Sequence, residues 1–165
     1  MHDAAAGNPF EGAPVILHYD GNGFEPAAIP AGPEHALFKV WGIDGRIFAV
    51  GQQGLILGYD ADSTSWTRHD AGPEADADFV SLWGSAADRI VAVGGRSGAR
   101  IALFDGDRWV TRAPSAFAGL NGVHMERDDE AIIAGIFELG FTSTKPVENW
   151  SPSPIRISRF RGCRC

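Results

Sequence analysis

The side chains with the strongest claim to chemistry fall into four groups. Glu74-Ala75-Asp76-Ala77-Asp78 and Glu126-Arg127-Asp128-Asp129-Glu130 concentrate carboxylates, the oxygen donors that hold Ca²⁺. Neither has the EF-hand pattern or the Gly-Gly-x-Gly-x-Asp nonapeptide, so solvated loops are expected. Histidines are the usual ligands of zinc. Here His18, His69 and His124 take repeat positions, and His2 and His35 lie in expected loops. No His-x-His, His-x₃-His or His-Glu-x-x-His spacing occurs, so surface or structural roles are expected. Gly94-Gly95-Arg96-Ser97-Gly98 has the composition of an anion nest. It joins two expected strands with no helix after it, which fits neither a P-loop nor a dinucleotide fingerprint. Cys163 and Cys165, the only cysteines, make half a metal site at most. The expectation is therefore no catalytic residue, no metal ligand set and no cofactor, with the binding residues undefined.

What positions these groups is a repeat. Trp41-Gly42 recurs as Trp83-Gly84, 42 residues on, and Ala49-Val50-Gly51 recurs as Ala92-Val93-Gly94, 43 residues on. An aromatic-Asp pair followed by an aromatic occurs three times, as Tyr19-Asp20…Phe24, Tyr59-Asp60…Trp66 and Phe104-Asp105…Trp109. A weaker copy runs from Val123-His124 to Ile133-Ala134-Gly135. Several markers keeping one order and nearly one spacing define a tandem unit of about 42 residues.

Within a unit the pattern is that of short strands. Phe38–Trp41 is half apolar, and Arg46–Val50 is the continuous β-prone run of a strand buried on both faces. Gly51-Gln52-Gln53-Gly54 reads as a turn with glycines at positive φ. Leu55–Tyr59 and Trp66–His69 complete four strands around the polar turn Asp60–Ser65, and Gly72-Pro73 closes the unit. The second unit repeats this through Ile90–Val93, Arg100–Phe104 and Trp109–Arg112. Strands recur without helical stretches of 10–15 residues between them, which excludes βαβ units. Four antiparallel strands every 40–45 residues describe a β-propeller blade, so the expected class is all-β.

Composition agrees with that class. Twenty-one Gly and ten Pro are spread between apolar runs, as many short strands and tight turns require. No apolar run reaches the roughly 18 residues of a membrane span. Residues 1–144 carry 9 Lys/Arg against 20 Asp/Glu, so this acidic body argues against nucleic-acid binding. Residues 145–165 reverse the balance, with 5 against 1. Together with Ser151-Pro152-Ser153-Pro154 this reads as a basic, disordered tail, and residues 1–12 as a flexible N-terminus. The start has no basic residue before an apolar run, so no secretory signal is expected. A complete chain of this kind is expected in the cytoplasm; a piece of an exported protein would look the same.

With Trp41-Gly42…Ile47-Phe48-Ala49-Val50-Gly51-Gln52-Gln53-Gly54-Leu55-Ile56-Leu57-Gly58-Tyr59-Asp60…Trp66, the chain resembles a bacterial propeller repeat. The superfamily is that of photosystem II assembly-factor-like and neuraminidase-type (BNR) repeats, and the likeness runs over residues 13–142. The Asp box of that superfamily, S-x-D-x-G-x-x-W, is degenerate. Its aromatic follows Asp20 and Asp105 by four residues and Asp60 by six, rather than by five. The Gly-His…Trp-Asp signature of WD repeats does not occur. The markers expected to hold the repeat are Trp41, Gly42, Gly51, Asp60, Trp66, Trp83, Gly84, Gly94, Asp105 and Trp109.

The resemblance implies a ring of six to eight blades. This chain is expected to supply about three: a half blade at 13–32, blades at 35–74 and 78–114, and a half blade at 120–144. Too few to close, they form an incomplete ring. Either the chain is a fragment of a larger propeller, or two copies complete one another's half blades in a six-bladed homodimer. Sialidases of this architecture bind a carboxylate with an arginine cluster near Tyr and Glu. Arg46, Arg89 and Arg127 are placed at the openings of second strands, but Tyr19 and Tyr59 fall in the turn motif, where a structural role is expected. The expected function is a non-catalytic module presenting loops to a protein or glycan. The alternative is part of a propeller hydrolase or lyase, sialidase-like, with its catalytic residues outside this chain.

Overall fold

Arg46–Gly51 and Arg89–Gly94 are apolar after their first residue, and each becomes the second strand of a four-stranded sheet. The computed structural model describes residues 14–32, 35–115, 117–128 and 130–135, and the backbone of 139–143. The expected flexible N-terminus and basic tail lie outside the described residues.

Four antiparallel sheets follow one another along the chain. The first pairs β1 (Leu17–Tyr19) with β2 (Phe24–Pro26). The second runs β3 (Leu37–Ile43), β4 (Arg46–Gly51), β5 (Ile56–Asp60), β6 (Ser65–His69). The third runs β7 (Phe79–Ala86), β8 (Arg89–Gly94), β9 (Arg100–Phe104), β10 (Trp109–Arg112). The fourth runs β11 (Leu120–Arg127), β12 (Glu130–Gly135), β13 (Leu139–Ser143). Each is a meander in which every strand pairs with the next. The last sheet has three described strands where the repeat spacing suggested half a blade.

Three apolar cores lie between successive sheets. Along β4, Ala49 faces the first sheet while Phe48 and Val50 face the third; along β8, Ile90 and Ala92 face the second while Val91 and Val93 face the fourth. A strand with period two that is apolar at every position must be covered on both sides, and stacking does this. Backbones of different sheets come closest where β3 meets β7 and β7 meets β11. The sheets therefore fan out from their first strands, as blades do around an axis.

The Ala-Val-Gly glycines have a different cause from the one expected. Positive φ falls on Gln53, Gly54 and Gly95, while Gly51 is extended, with φ −161°. A Cβ on Gly51 would sit 2.0 Å from the Ala36 carbonyl oxygen, and one on Gly94 would sit 1.9 Å from that of Asp78. Both glycines lie where the pairing slips by one residue at the start of the first strand, between Leu37 and Lys39 and between Phe79 and Ser81. The bulge presses the incoming backbone onto the second strand, and only a residue without a side chain fits beneath it.

Candidate functional site

The turn between β1 and β2, and the turns between the third and fourth strands of the second and third sheets, are built around the repeated aspartate. Asp20 Oδ1 accepts the backbone N–H groups of Asn22 (2.8 Å) and Gly23 (3.0 Å). Asp105 Oδ1 accepts those of Asp107 (3.1 Å) and Arg108 (3.0 Å). Asp60, in the longer turn, accepts the Ser63 hydroxyl (2.8 Å) and the Asp62 N–H (3.0 Å). Donors that prefer the ionised carboxylate hold all three below the usual carboxylate range: Asn22 foremost for Asp20, Ser63 for Asp60 and Arg108 for Asp105. These are Asx-type turns, and the aspartates act by fixing backbone.

In a meander, these turns share one edge with the turns between the first and second strands. Gly106 packs so closely on Asp88 that a Cβ there would lie 2.9 Å from the Asp88 Cβ. The edge is lined by Asp20, Asp44, Asp60, Asp88 and Asp105, with Arg89 bonded to its neighbour Asp88 and Arg108 beside Asp105. It is a polar, exposed face of short turns held by their own hydrogen bonds.

The loop at 74–78 is exposed at Glu74 and Asp76, as expected, but two of its carboxylates are bonded to arginines. Arg100, which opens β9, extends its guanidinium back over the connection between the second and third sheets. Its Nε donates to the Glu74 carbonyl (2.8 Å) and its Nη2 to Asp76 Oδ1 (2.8 Å), while Nη1 donates to the Gly98 and Ala99 carbonyls. The bonded Arg100 cation lowers the Asp76 pKa. Asp78 accepts Arg96 Nε (3.1 Å) and the Gln53 N–H (3.2 Å). The Arg96 of the glycine-rich turn is thus turned onto a carboxylate, and Gly94–Gly98 serves as a hairpin turn. Sequence reading missed Arg100 as a clasp. Its signal was a lone arginine at a position where the preceding repeats carry Val15 and Leu55.

The other candidates do not converge. Arg46 opens β4 with its guanidinium 5.5 Å from the Phe104 ring centre. Arg89 opens β8. Arg127 does not open a second strand: a register shift between Met125 and Arg127 leaves it as the last residue of β11, ion-paired with Glu130 opposite. His69 lies between sheets against Phe48 (5.4 Å) and Phe104 (6.2 Å), and burial and the Arg46 charge lower its pKa. His124 stacks on Trp83 at 5.0 Å. Tyr19 donates its hydroxyl to the Gly21 carbonyl, and Tyr59 packs on Trp66. Among the described residues no group of three or more His, Cys, Asp or Glu could hold a metal ion, and no helix is long and apolar enough to cross a membrane. Cys163, Cys165 and His2 lie outside the described residues.

The repeat markers fall in the cores and turns. Trp66 and Trp109 are buried between sheets, Trp41 and Trp83 are half-buried with ring centres 5.8 Å apart, and Asp60 and Asp105 hold turns. Blade-like four-stranded meanders, stacked face to face and meeting at their first strands, define the class: the described residues are all-β, form no closed barrel and match a partial β-propeller. No family model matches the chain, and no curated protein sequence matches it. Among solved structures the chain is similar to YCF48 bound to D1 peptide, with a TM-score of 0.49 and 17% sequence identity. The alignment covers 72% of this chain and 40% of that one, so the match spans less than half of that chain.

Proposed function

We propose that the chain is a non-catalytic β-propeller module that presents its turn-lined face to a protein or glycan partner. One observation carries the reading. Seven of the side chains whose types suggest chemistry are engaged in holding the scaffold: Asp20, Asp60 and Asp105 in turns, Asp76 and Asp78 by Arg100 and Arg96, His69 and His124 on aromatic rings. What the first three sheets offer outward is a row of internally bonded turns, each built on an aspartate. Such loops on a rigid frame are where binding surfaces are built. Short, internally bonded turns lose little conformational freedom when a partner docks.

Glycan and peptide arrays probed with the full chain, run beside a panel of fluorogenic glycosides, test the reading. Binding without turnover is the expected result. Turnover on any member of the panel, abolished by a substitution in this chain, would overturn the non-catalytic reading.

A further inference from the structure

Each interior sheet buries one face on the sheet before it and one on the sheet after it, and the repeat fixes which positions serve which face. Leu57 and Trp66 of the second sheet face backward onto the first; Ala102, Phe104 and Trp109 of the third face backward onto the second. Their equivalents in the first sheet are Leu17, Tyr19 and Phe24. Among the described residues none covers that face: Phe24 is 69% exposed where Trp66 is 8% and Trp109 3%. The forward face shows the same break at the other end. Phe48, Val91 and Ile132 each stand three residues before the glycine that ends the second strand. Phe48 and Val91 are buried on the next sheet at 3% and 1%, while Ile132 is 38% exposed. His124, which follows Trp41 and Trp83 in the row along the first strands, is likewise exposed.

The outer faces of the first and fourth described sheets are therefore the two halves of one interface, the interface the described sheets already make three times among themselves. The backward face of the first sheet has the residue positions that receive a forward face, and the forward face of the fourth sheet has the positions that enter one. We infer that a second copy of this chain docks head to tail, the face carrying Leu17, Tyr19 and Phe24 against the face carrying Ile132. The docking is face to face. Merging sheets edge to edge would join the two described strands of the first sheet to the three described strands of the fourth, more than a four-stranded blade holds. A contact between two different surfaces of one chain is heterologous, so it closes as a ring or continues as a filament. It also removes apolar surface of the kind that an isolated domain rarely leaves exposed. The inference stands apart from the proposed function: array binding without turnover neither needs nor produces it.

Sedimentation velocity on the full chain over a hundredfold dilution series tests it. The expected result is reversible association to two or more copies, weakened at least tenfold by Phe24→Arg and equally by Ile132→Arg. Both positions are exposed, and unchanged far-ultraviolet circular dichroism would show that each variant is folded. Mixing the two variants is the decisive arm. The first keeps an intact forward face and the second an intact backward face, so the mixture is expected to form a heterodimer that stops at two copies. A chain that is monomeric throughout the series, a Phe24→Arg variant that associates as the parent does, or a mixture of folded variants that stays monomeric would each overturn the inference.

Discussion

The Trp41 ring of the second sheet rests on Gly84 of the third: a Cβ at position 84 would lie 2.8 Å from Trp41 Cη2 and 2.7 Å from the Arg89 carbonyl oxygen. The Trp-Gly dipeptide thus works across sheets. Trp41 of the second sheet needs Gly84 of the third, where the side chain that would fill the space is missing. Gly84→Ala is expected to destabilise the chain by about 1–3 kcal/mol through overpacking against backbone that cannot yield. Urea unfolding followed by tryptophan fluorescence measures it. Gly23→Ala, in a turn with nothing within 4 Å of the added carbon, is the matched control and is expected to cost less.

A single buried hydroxyl ties the second sheet to the third. Thr111 on β10 donates to the Ala71 carbonyl at 2.7 Å, 40 residues back along the chain, and is 5% exposed. Thr111→Val keeps the shape and removes the donor, leaving that carbonyl without this partner. The expected loss is about 1–3 kcal/mol, the desolvation cost of an unpaired buried group. Thermal or urea unfolding reads it, and Thr111→Ser is expected to recover most of the loss.

Arg100 uses three nitrogens in different directions, on Glu74, Asp76, Gly98 and Ala99. A lysine carries the same charge but cannot reproduce that fork. Arg100→Lys is therefore expected to lose about 1–2 kcal/mol of stability as charge-assisted hydrogen bonds go unmade. Asp76→Asn, which leaves the carbonyl contacts in place, is expected to lose less. Were the ion pair the whole of the interaction, the two variants would lose alike.

His69 gives the stability a pH dependence of defined sign. Burial, then the Arg46 charge, lowers its pKa in the folded chain below the ordinary value of 6.5. The unfolded chain therefore takes up a proton first as pH falls, and stability drops from about pH 6.5 downward until the folded histidine also titrates. Asp20, Asp60, Asp76 and Asp105 are held below 3.8 when folded, so their contribution persists through that window and is lost only at lower pH. Urea midpoints measured from pH 8 to pH 5 are expected to fall, and His69→Gln is expected to flatten the fall. An unchanged slope in the variant would assign the effect elsewhere.

The fold was legible because its markers are local and repeated. Trp-Gly, Ala-Val-Gly and the aspartate turn each sit within a few residues, and their recurrence located the four-stranded sheets and their turns. The purpose of Gly51 and Gly94 was not legible. A positive φ is a local demand, whereas the demand here is made by Ala36 and Asp78, at least 15 residues away. For the same reason the arginine clasp escaped notice. Arg100 and Asp76 are 24 residues apart and meet only because the hairpin of β8 and β9 folds back over the connection before it. Patterning shows which faces are apolar; it does not show which polar groups a three-dimensional turn will bring together. The candidate site suffers most from this, since Asp76 and Asp78 looked free in the sequence and are bonded in the fold.

The stacking of the sheets through their first strands carries everything above, and nuclear Overhauser contacts test it most directly. The structure predicts contacts from the Trp41 ring to the Gly84 α-protons, and from the Trp83 ring to the His124 ring, alongside the strand contacts within each sheet. Strand contacts within β3–β4 and β7–β8 with no contact from Trp41 to Gly84 would contradict it, leaving blades that form but do not stack.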